Sequence, residues 1–225
     1  MKQFVIIVAG GTGTRMGSEI PKQFLLLDDR PVLIHTLSAF YTAIPEASVV
    51  IALPENTMSR WTDLLKTHHC RIPHRLVPGG ETRFHSVRNA LDTLPDDGIV
   101  AIHDGARPLV SAALIRKAFE EAERAGNAVP VTPVNESMRF TEGEGNRPVD
   151  RSAYHLVQTP QVFRLSEAHA AFRQEYRPGF TDDATVLESS GVRIHLIEGD
   201  PSNIKITEPG DLFLAHALMS RPFHR

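Results

Sequence analysis

The stretch Phe4-Val5-Ile6-Ile7-Val8, followed directly by Ala9-Gly10-Gly11, decides the fold class. Its first part is a continuous run of apolar, mostly β-branched residues, which is typical of a strand buried on both faces of a parallel sheet. The glycines after this run allow the chain to turn tightly, because they have no Cβ atom. The stretch therefore predicts the first strand and the first turn of an α/β protein.

Similar runs recur along the chain, with helix-like segments between them. Strands are predicted at Ser48–Leu53, Arg75–Val77, Gly98–His103 and Ala128–Val131. The alternation of strands and helices predicts a Rossmann-like α/β fold, an open, mostly parallel twisted sheet with helices on both faces. The helices of this part of the chain are predicted at residues 31–43, 57–68, 82–94 and 112–125.

The regular alternation breaks between Ser137 and Gln161. A polar turn at Glu142–Asn146 separates two short strand-like segments, which predicts a protruding β-arm, residues 137–157, that leaves the main sheet. Because no repeat or linker interrupts the chain, we expect a single domain over residues 1–225 with this arm as an insertion. After the arm, helices are predicted at 166–176, 182–190 and 208–220, and a strand at 192–197.

The composition narrows the class of protein. The 225 residues include 24 Lys and Arg against 27 Asp and Glu, whereas a general nucleic-acid-binding protein would carry a clustered basic excess. The single cysteine, Cys70, provides no disulfide framework and favours a reducing compartment. No apolar run approaches the roughly 18 residues of a membrane span. We therefore expect a cytoplasmic protein that binds neither nucleic acid nor membranes.

The residues Gly10–Gly17 carry the clearest chemical signal. Glycines after a strand let backbone N–H groups approach a phosphate closely, and Arg15 and Lys22 supply two cations beside them. The stretch is not a P-loop, because Gly17 is not followed by Lys and Ser or Thr. A nicotinamide dehydrogenase is also disfavoured, since Met16 replaces the third glycine of the dinucleotide fingerprint and Ala52-Leu53-Pro54 lacks its acidic residue.

Two further strand ends carry polar groups. After the third strand, Gly79–Arg83 and Ser86 would bring backbone groups and a hydroxyl against a flat base, although a turn before an N-capped helix explains them equally well. After the fourth strand, Asp104 suits a ribose hydroxyl or metal-bound water and Arg107 a phosphate. Pairing of these two residues in a turn is the plainer alternative. Since ligands of such sheets bind beyond the carboxyl ends of the strands, one shared site is predicted.

Lys205 stands between Ile204 and Ile206. In an extended segment its side chain would point away from both isoleucines, toward a polar surface. Solvent is the plainer target for such a lysine.

In their order along the chain, these motifs resemble the 2-C-methyl-D-erythritol 4-phosphate cytidylyltransferase family of the non-mevalonate isoprenoid pathway. The resemblance covers nearly the whole sequence, and a series in this order is far more specific than any one member. The series is Ala9-Gly-Gly-x-Gly-x-Arg-Met16, Pro21-Lys-Gln-Phe24, Gly79-Gly-x-x-Arg83, His103-Asp-x-x-Arg-Pro108, Val149-Asp-Arg151, Gln158-Thr-Pro-Gln161, Thr181-Asp-Asp183 and Asn203-Ile-Lys205.

The resemblance implies a reaction in which the acceptor's phosphate attacks the α-phosphorus of CTP, releasing pyrophosphate and leaving a CDP-alcohol. No protein nucleophile is then required, and catalysis consists of positioning and charge stabilisation. The resemblance also implies that Mg²⁺ would be held mainly by the CTP phosphates rather than by protein, with Asp104 as a candidate ligand. The resemblance implies catalytic roles for Arg15, Lys22, Arg151 and Lys205, CTP binding by Ala9, Gly10, Gly11, Gly13, Gly80, Glu81, Ser86 and Asp104, and acceptor binding by Asp104, Arg107, Ser137, Arg151, Thr159, Thr181 and Lys205.

The resemblance also implies a homodimer formed through the β-arm. In that dimer Ser137, Arg151 and Thr159 would reach the acceptor site of the partner subunit. The sequence departs from many relatives at Gly105, where Ala is common, and at Ser137, where Thr is common. These two differences keep the needed size or hydroxyl group, so we expect the activity to be retained and at most the fit of the acceptor to change.

Two alternative functions stay open. A ribitol 5-phosphate cytidylyltransferase would share the glycine loop and Pro21-Lys22-Gln23, but its relatives usually differ at Val149–Arg151 and Thr181–Asp183. A nucleotide-binding protein without catalytic activity is the second alternative. The presence of both Arg15 and Lys22 argues against it.

Overall fold

The sheet is organised around β1 (Gln3–Val8), whose residues alternate between two buried layers. Val5 and Ile7 face one layer, and Phe4 and Ile6 face the other. Complete burial of a side chain such as Ile6 contributes about 1.5–3 kcal/mol to stability. Because both faces of the strand are covered, it has no polar face and therefore no polar residue after Gln3.

The computed structural model describes residues 1–11 and 20–220. Gly13 and Arg15 of the predicted phosphate site lie outside these residues. The remaining strands are β2 (Leu26–Leu27), β3 (Arg30–Pro31), β4 (Ser48–Leu53), β5 (Arg75–Pro78), β6 (Ile99–Asp104), β7 (Asn127–Pro133), β8 (Met138–Glu142), β9 (Gly145–Val149), β10 (His155–Val157), β11 (Gln161–Arg164) and β12 (Leu196–Glu198). The helices are α1 (Val32–Ala43), α2 (Met58–Thr67), α3 (Arg83–Leu91), α4 (Ala112–Ala125), α5 (Leu165–Phe172), α6 (Asp183–Ser189) and α7 (Pro209–Met219).

The main sheet has the order β10-β7-β11-β6-β1-β4-β5, and β12 pairs with β7. Strands β1, β4, β5 and β6 are parallel, as is the pair β7 and β12. Helices α1, α2 and α4 cover one face, and α3, α5 and α6 cover the other. The predicted α/β class with a mostly parallel sheet and helices on both faces is confirmed.

Helix α4 coincides with its predicted bounds because both of its ends are encoded locally. The Ser111 side chain accepts a hydrogen bond from the backbone N–H of Leu114 at the start. Gly126 ends the helix with φ +94°, a conformation that disfavours any residue with a Cβ atom. Each end of α4 is thus fixed by one residue, Ser111 at the start and Gly126 at the end.

Strand β11 has no counterpart in the sequence prediction. It lies between β6 and β7 and is antiparallel to both, with Val162 opposite Ala101 and Ala128. It follows β10 after a short segment that contains the cis peptide bond Thr159–Pro160. The sequence of a segment only four residues long does not distinguish a buried strand from the start of the following helix.

The predicted strand at residues 192–197 is wrong over most of its length, since β12 begins only at Leu196. The side chain of Asn127 replaces the missing ladder bonds. Its amide nitrogen donates to the carbonyl of Arg193 at 2.9 Å, and its oxygen accepts the backbone N–H of His195 at 2.7 Å. Side-chain bonds of this kind satisfy the backbone without a strand, which is why the apolar pattern alone was misleading.

The predicted β-arm corresponds in part to an exposed antiparallel hairpin. Strands β8 and β9 pair with each other in a separate two-stranded sheet, and nearly all their side chains are exposed. Residues 155–157 instead form β10, which pairs with β7 of the main sheet. The segment that leaves the sheet is therefore shorter than the predicted interval 137–157.

Within the described part of the chain, every helix is too short or too polar to cross a membrane.

Candidate active site

Two adjoining cavities lie beyond the carboxyl ends of β1, β5 and β6, at the edge where parallel sheets bind ligands. The first lobe has a volume of about 220 Å³ and the second lobe about 270 Å³. Arg83, Asp104 and Lys205 line both of them. Two ligands in the two lobes would therefore meet at one carboxylate and two cations.

The first lobe is formed by the turn after β1. Ala9, Gly10 and Gly11 line it together with Lys22, whose Cε would lie 3.4 Å from a Cβ atom placed on Gly11. The buried side chain of Gln23 fixes this turn by donating from Nε2 to the carbonyl of Ala9 at 2.7 Å. The backbone of Gly10 and Gly11 beside a lysine forms a suitable environment for a phosphate.

The opposite wall of the first lobe is the turn after β5. The backbone N–H of Gly80 donates to Ser86 Oγ at 3.0 Å, and Ser86 Oγ donates to the carbonyl of Thr82 at the same distance. A Cβ atom on Gly80 would lie 2.3 Å from the Cβ of His85, so only glycine fits there. Ser86, only 3% exposed, holds this turn in shape, while Glu81 is exposed at its rim.

The second lobe contains three of the predicted acceptor-binding residues. Arg107, Thr159 and Thr181 line it, together with Asp104 and Lys205. Lys205 lies between one buried and one half-buried isoleucine and points away from both, with Nζ 2.9 Å from Asp104 Oδ2. The Lys205 side chain therefore contacts Asp104 and not solvent alone. This contact explains why a lysine stands between two isoleucines.

One expectation about the second lobe is wrong. Thr159 does not depend on a partner subunit to reach the site, because its Oγ1 accepts the backbone N–H of Asp104 of the same chain at 3.1 Å. It follows β10, which has already returned to the main sheet. The predicted arm interval ended at Val157, and the two residues after it belong to the core of the site.

Asp104 is the electrostatic centre of both lobes. Its carboxylate lies 3.2 Å from Arg83 Nε, 3.4 Å from Arg107 Nε and 2.9 Å from Lys205 Nζ. Burial opposes ionisation, but the charges of Arg83, Lys205 and Arg107 outweigh it and hold the pKa of Asp104 far below its usual range. The carboxylate is therefore ionised, and the cluster keeps an excess of positive charge.

Arg83 connects this cluster to the start of α6. Its Nη1 and Nη2 lie 2.6 and 2.7 Å from the two carboxylate oxygens of Asp183, which is 1% exposed. Burial raises the pKa of Asp183, and the Arg83 guanidinium counteracts that effect. This bidentate geometry is typical of a charged arginine–carboxylate pair. It holds α6 and the neighbouring Thr181 against α3.

The remaining predicted residues lie apart from the two lobes. Ser137 precedes the exposed hairpin and Arg151 follows it, and neither lines the lobes in the described part of the chain. The Arg151 guanidinium donates to the carbonyl of Asn135, next to the base of the hairpin. Within one chain the structure thus does not bring these two residues to the site.

Three side chains that carry no predicted role prove to be part of the site: Arg83, His103 and Gln161. Arg83 begins α3, where the positive end of the helix dipole disfavours a cation, and that unusual placement is a signal of an acidic partner. Gln161 accepts the N–H of Ala184 at 2.8 Å and so supports the start of α6. His103 is completely buried beneath Asp104.

The described residues do not form a metal cage. No three of their His, Cys, Asp and Glu side chains come together as a ligand set, and Asp104 has three cations around it. Mg²⁺ prefers phosphate oxygens and water. The donor set therefore fits Mg²⁺ only as a complex with a bound phosphate ligand.

A glycine-lined lobe beside a second polar lobe, with cations shared between them, suits a nucleotide and a second anionic substrate bound side by side. The model of the family described as 2-C-methyl-D-erythritol 4-phosphate cytidylyltransferase matches residues 3–221. The chain belongs to that family, and it is a nucleotidyltransferase.

Individual relatives agree with the family match. A 2-C-methyl-D-erythritol 4-phosphate cytidylyltransferase from Bacteroides thetaiotaomicron is 47% identical over 219 residues, covering 97% of this chain and 100% of that protein. The crystal structure of the enzyme of that name from Thermus thermophilus is 36% identical, with a TM-score of 0.78 over 97% of this chain and 98% of the other. The one from Francisella tularensis is 30% identical, with a TM-score of 0.80 over 97% and 100%.

The Arg83–Asp183 pair yields a prediction about stability. Arg83→Met leaves Asp183 buried without its partner, so we expect a loss of about 3–5 kcal/mol in the free energy of unfolding, measured with urea. The double variant Arg83→Met/Asp183→Asn should recover part of that loss, because no uncompensated carboxylate is then left beside α6. Additive losses in the double variant would contradict a direct pairing of the two charges.

Proposed function

We propose that this chain transfers CMP from CTP to 2-C-methyl-D-erythritol 4-phosphate, giving 4-diphosphocytidyl-2-C-methyl-D-erythritol and pyrophosphate. The observation that carries the proposal is the pair of adjoining lobes with shared Arg83, Asp104 and Lys205. A nucleotide in the first lobe and a phosphorylated polyol in the second would meet at these charges. This arrangement supports direct transfer between two bound substrates.

The chemistry needs positioning rather than a protein nucleophile. The acceptor's phosphate supplies the attacking oxygen, a new P–O bond forms at the α-phosphorus of CTP, and the bond to the pyrophosphate leaving group breaks. Negative charge is spread over the equatorial oxygens in the transition state, and fixed cations stabilise it. Lys22 in the first lobe and Lys205 at the boundary are the described cations best placed for this.

Each predicted site residue has a role in this proposal. The nucleotide is bound by Ala9, Gly10, Gly11 and the turn Gly80–Ser86. Its phosphates are also bound by Gly13 and Arg15, which lie outside the described residues. Arg107, Thr159 and Thr181 bind the acceptor. When bound, Mg²⁺ would be held mainly by the phosphates of CTP and would supply positive charge there.

We extend the proposal to a homodimer in which the hairpin β8–β9 serves the partner subunit. Ser137 and Arg151 lie at the two ends of this exposed hairpin and away from the lobes of their own chain. A two-fold axis would make the exchange reciprocal, so that each site receives the partner's arm. The exposed Tyr154, directly before β10, and the exposed Leu156 on β10 are consistent with an apolar surface that a second copy covers.

The choice of substrates can be tested by pyrophosphate release from CTP or ATP with a panel of polyol phosphates. We expect the highest kcat/KM with CTP and methylerythritol phosphate. A wrong base would leave buried hydrogen-bonding groups unpaired, at about 1–3 kcal/mol for each group. Higher kcat/KM with ribitol 5-phosphate would favour the alternative cytidylyltransferase. No release with any acceptor would favour a binding protein without activity.

Two cation variants test the assignment of charge stabilisation. Lys22→Ala and Arg15→Ala should each lower kcat by about 10²–10³-fold and change KM for CTP much less, because the charge they stabilise develops in the transition state. Arg88→Ala, a helix residue outside both lobes, is the matched control and should leave both constants unchanged. A rise in KM alone would assign Lys22 to ground-state binding.

A mixing experiment tests the exchange of arms. Arg151→Met and Lys22→Ala should each be inactive alone, whereas half of the dimers formed by co-refolding carry one subunit of each kind. One site in every mixed dimer then combines an intact Lys22 with an intact Arg151 arm, so about a quarter of the wild-type activity should return. A mixture without activity, with mixed dimers verified by mass spectrometry, would place Arg151 in the site of its own chain.

A further inference from the structure

His103 is the buried neighbour of Asp104 in β6, with no exposed surface. Its ring packs edge-on against Phe40, with 5.0 Å between the ring centroids. Nδ1 lies 3.0 Å from Thr159 Oγ1, and Nε2 lies 3.1 Å from the carbonyl oxygen of Arg107. Both ring nitrogens therefore have defined partners in the second lobe's wall.

These two contacts determine where the ring carries its proton. A carbonyl oxygen only accepts hydrogen bonds, so Nε2 must carry hydrogen and donate to Arg107. Burial lowers the pKa of His103 to about 3, although the Asp104 carboxylate opposes this effect. The ring is then neutral around neutral pH, Nδ1 has no hydrogen, and the Thr159 hydroxyl must donate to it.

The orientation of the Thr159 hydroxyl follows. Its single proton points to His103, and one of its two lone pairs accepts the backbone N–H of Asp104 at 3.1 Å. The second lone pair is the only capacity that is left for a ligand. Thr159 can therefore accept a hydrogen bond from a molecule in the second lobe, and it cannot donate one.

We propose that His103 is a positioning residue that makes Thr159 a hydrogen-bond acceptor, so that Thr159 pairs with a hydroxyl group rather than with a phosphate oxygen of the bound molecule. Thr159 and the ionised Asp104 together offer only accepting atoms, which a phosphate dianion cannot pair with. The phosphate of the acceptor is thus left to the three cations of the second lobe, Arg83, Arg107 and Lys205, of which Arg83 and Lys205 also line the first lobe. The identity of the acceptor rests on the proposed function, whereas the proton position does not.

The proton position can be measured without substrate. Nitrogen NMR of the full-length protein with ¹⁵N-labelled histidine, with the His103 signal identified by its loss in His103→Asn, should show a neutral ring protonated at Nε2. A ring protonated at Nδ1, or a charged ring around neutral pH, would overturn the proposal. This measurement tests the proton position even if the enzyme proves to use a different polyol phosphate.

Two substitutions of His103 separate the contact to Thr159 from the contact to Arg107. The carbonyl of Asn can take the place of Nδ1 and accept from Thr159, whereas the longer Gln reaches the place of Nε2 and serves only Arg107. We expect His103→Gln to raise KM for the acceptor about tenfold or more, the equivalent of one lost hydrogen bond. His103→Asn should stay within about threefold of wild type, and KM for CTP should not change in either variant.

A double-variant cycle tests whether His103 acts through Thr159. In a Thr159→Val background, His103→Gln should change KM for the acceptor by less than about twofold, since the hydroxyl that it orients is gone. Multiplicative effects, or an equal rise in KM for CTP, would reduce His103 to a packing role and overturn the proposal. Absence of turnover by the wild-type enzyme with every acceptor would instead contradict the proposed function. The NMR measurement would then decide the proton position by itself.

Discussion

The site depends on one carboxylate that is almost completely removed from water and yet ionised. Asp104 ends β6, and its charge is balanced by Arg83 from α3, Arg107 from the following turn and Lys205 from a distant extended segment. A buried charge without partners would cost several kcal/mol, so these segments are stable only together. The same interactions that hold the segments together leave a net positive charge at the boundary between the two lobes.

The sheet explains why this carboxylate lies where it does. Parallel strands end at the same edge, and apolar side chains fill most of both faces, so the polar groups of the two lobes gather at and beyond the carboxyl ends of the strands. The register pairs Val8 with Asp104, which sets the glycine turn after β1 beside the carboxylate. The positions of these two groups do not depend on where the surrounding helices begin and end, because the central strands are fixed by the burial of their own side chains.

Much of this could be predicted from the sequence, because the strands β1, β4, β5 and β6 are encoded by local apolar runs and α4 by its own caps. Strand β11 and the short β12 could not, since β11 is held by neighbours that are distant in sequence and the side chain of Asn127 replaces a ladder near β12. The glycine turns and the order of the motifs indicate the site. The pairing of Arg83 with Asp183, across 100 residues, depends on tertiary structure alone.

The two lobes differ in the kind of hydrogen bond that they offer, and this difference orients a substrate more strictly than shape does. Backbone amides and Lys22 give the first lobe a donating character that suits phosphates. In the second lobe Thr159 accepts hydrogen bonds, Arg107 donates from within the lobe, and Arg83 and Lys205 donate at the boundary with the first lobe. A molecule with a phosphate at one end and hydroxyl groups at the other pairs best in the direction that brings a hydroxyl to Thr159 and the phosphate to Arg83 and Lys205. That direction places its phosphate next to the nucleotide, where an in-line attack requires it.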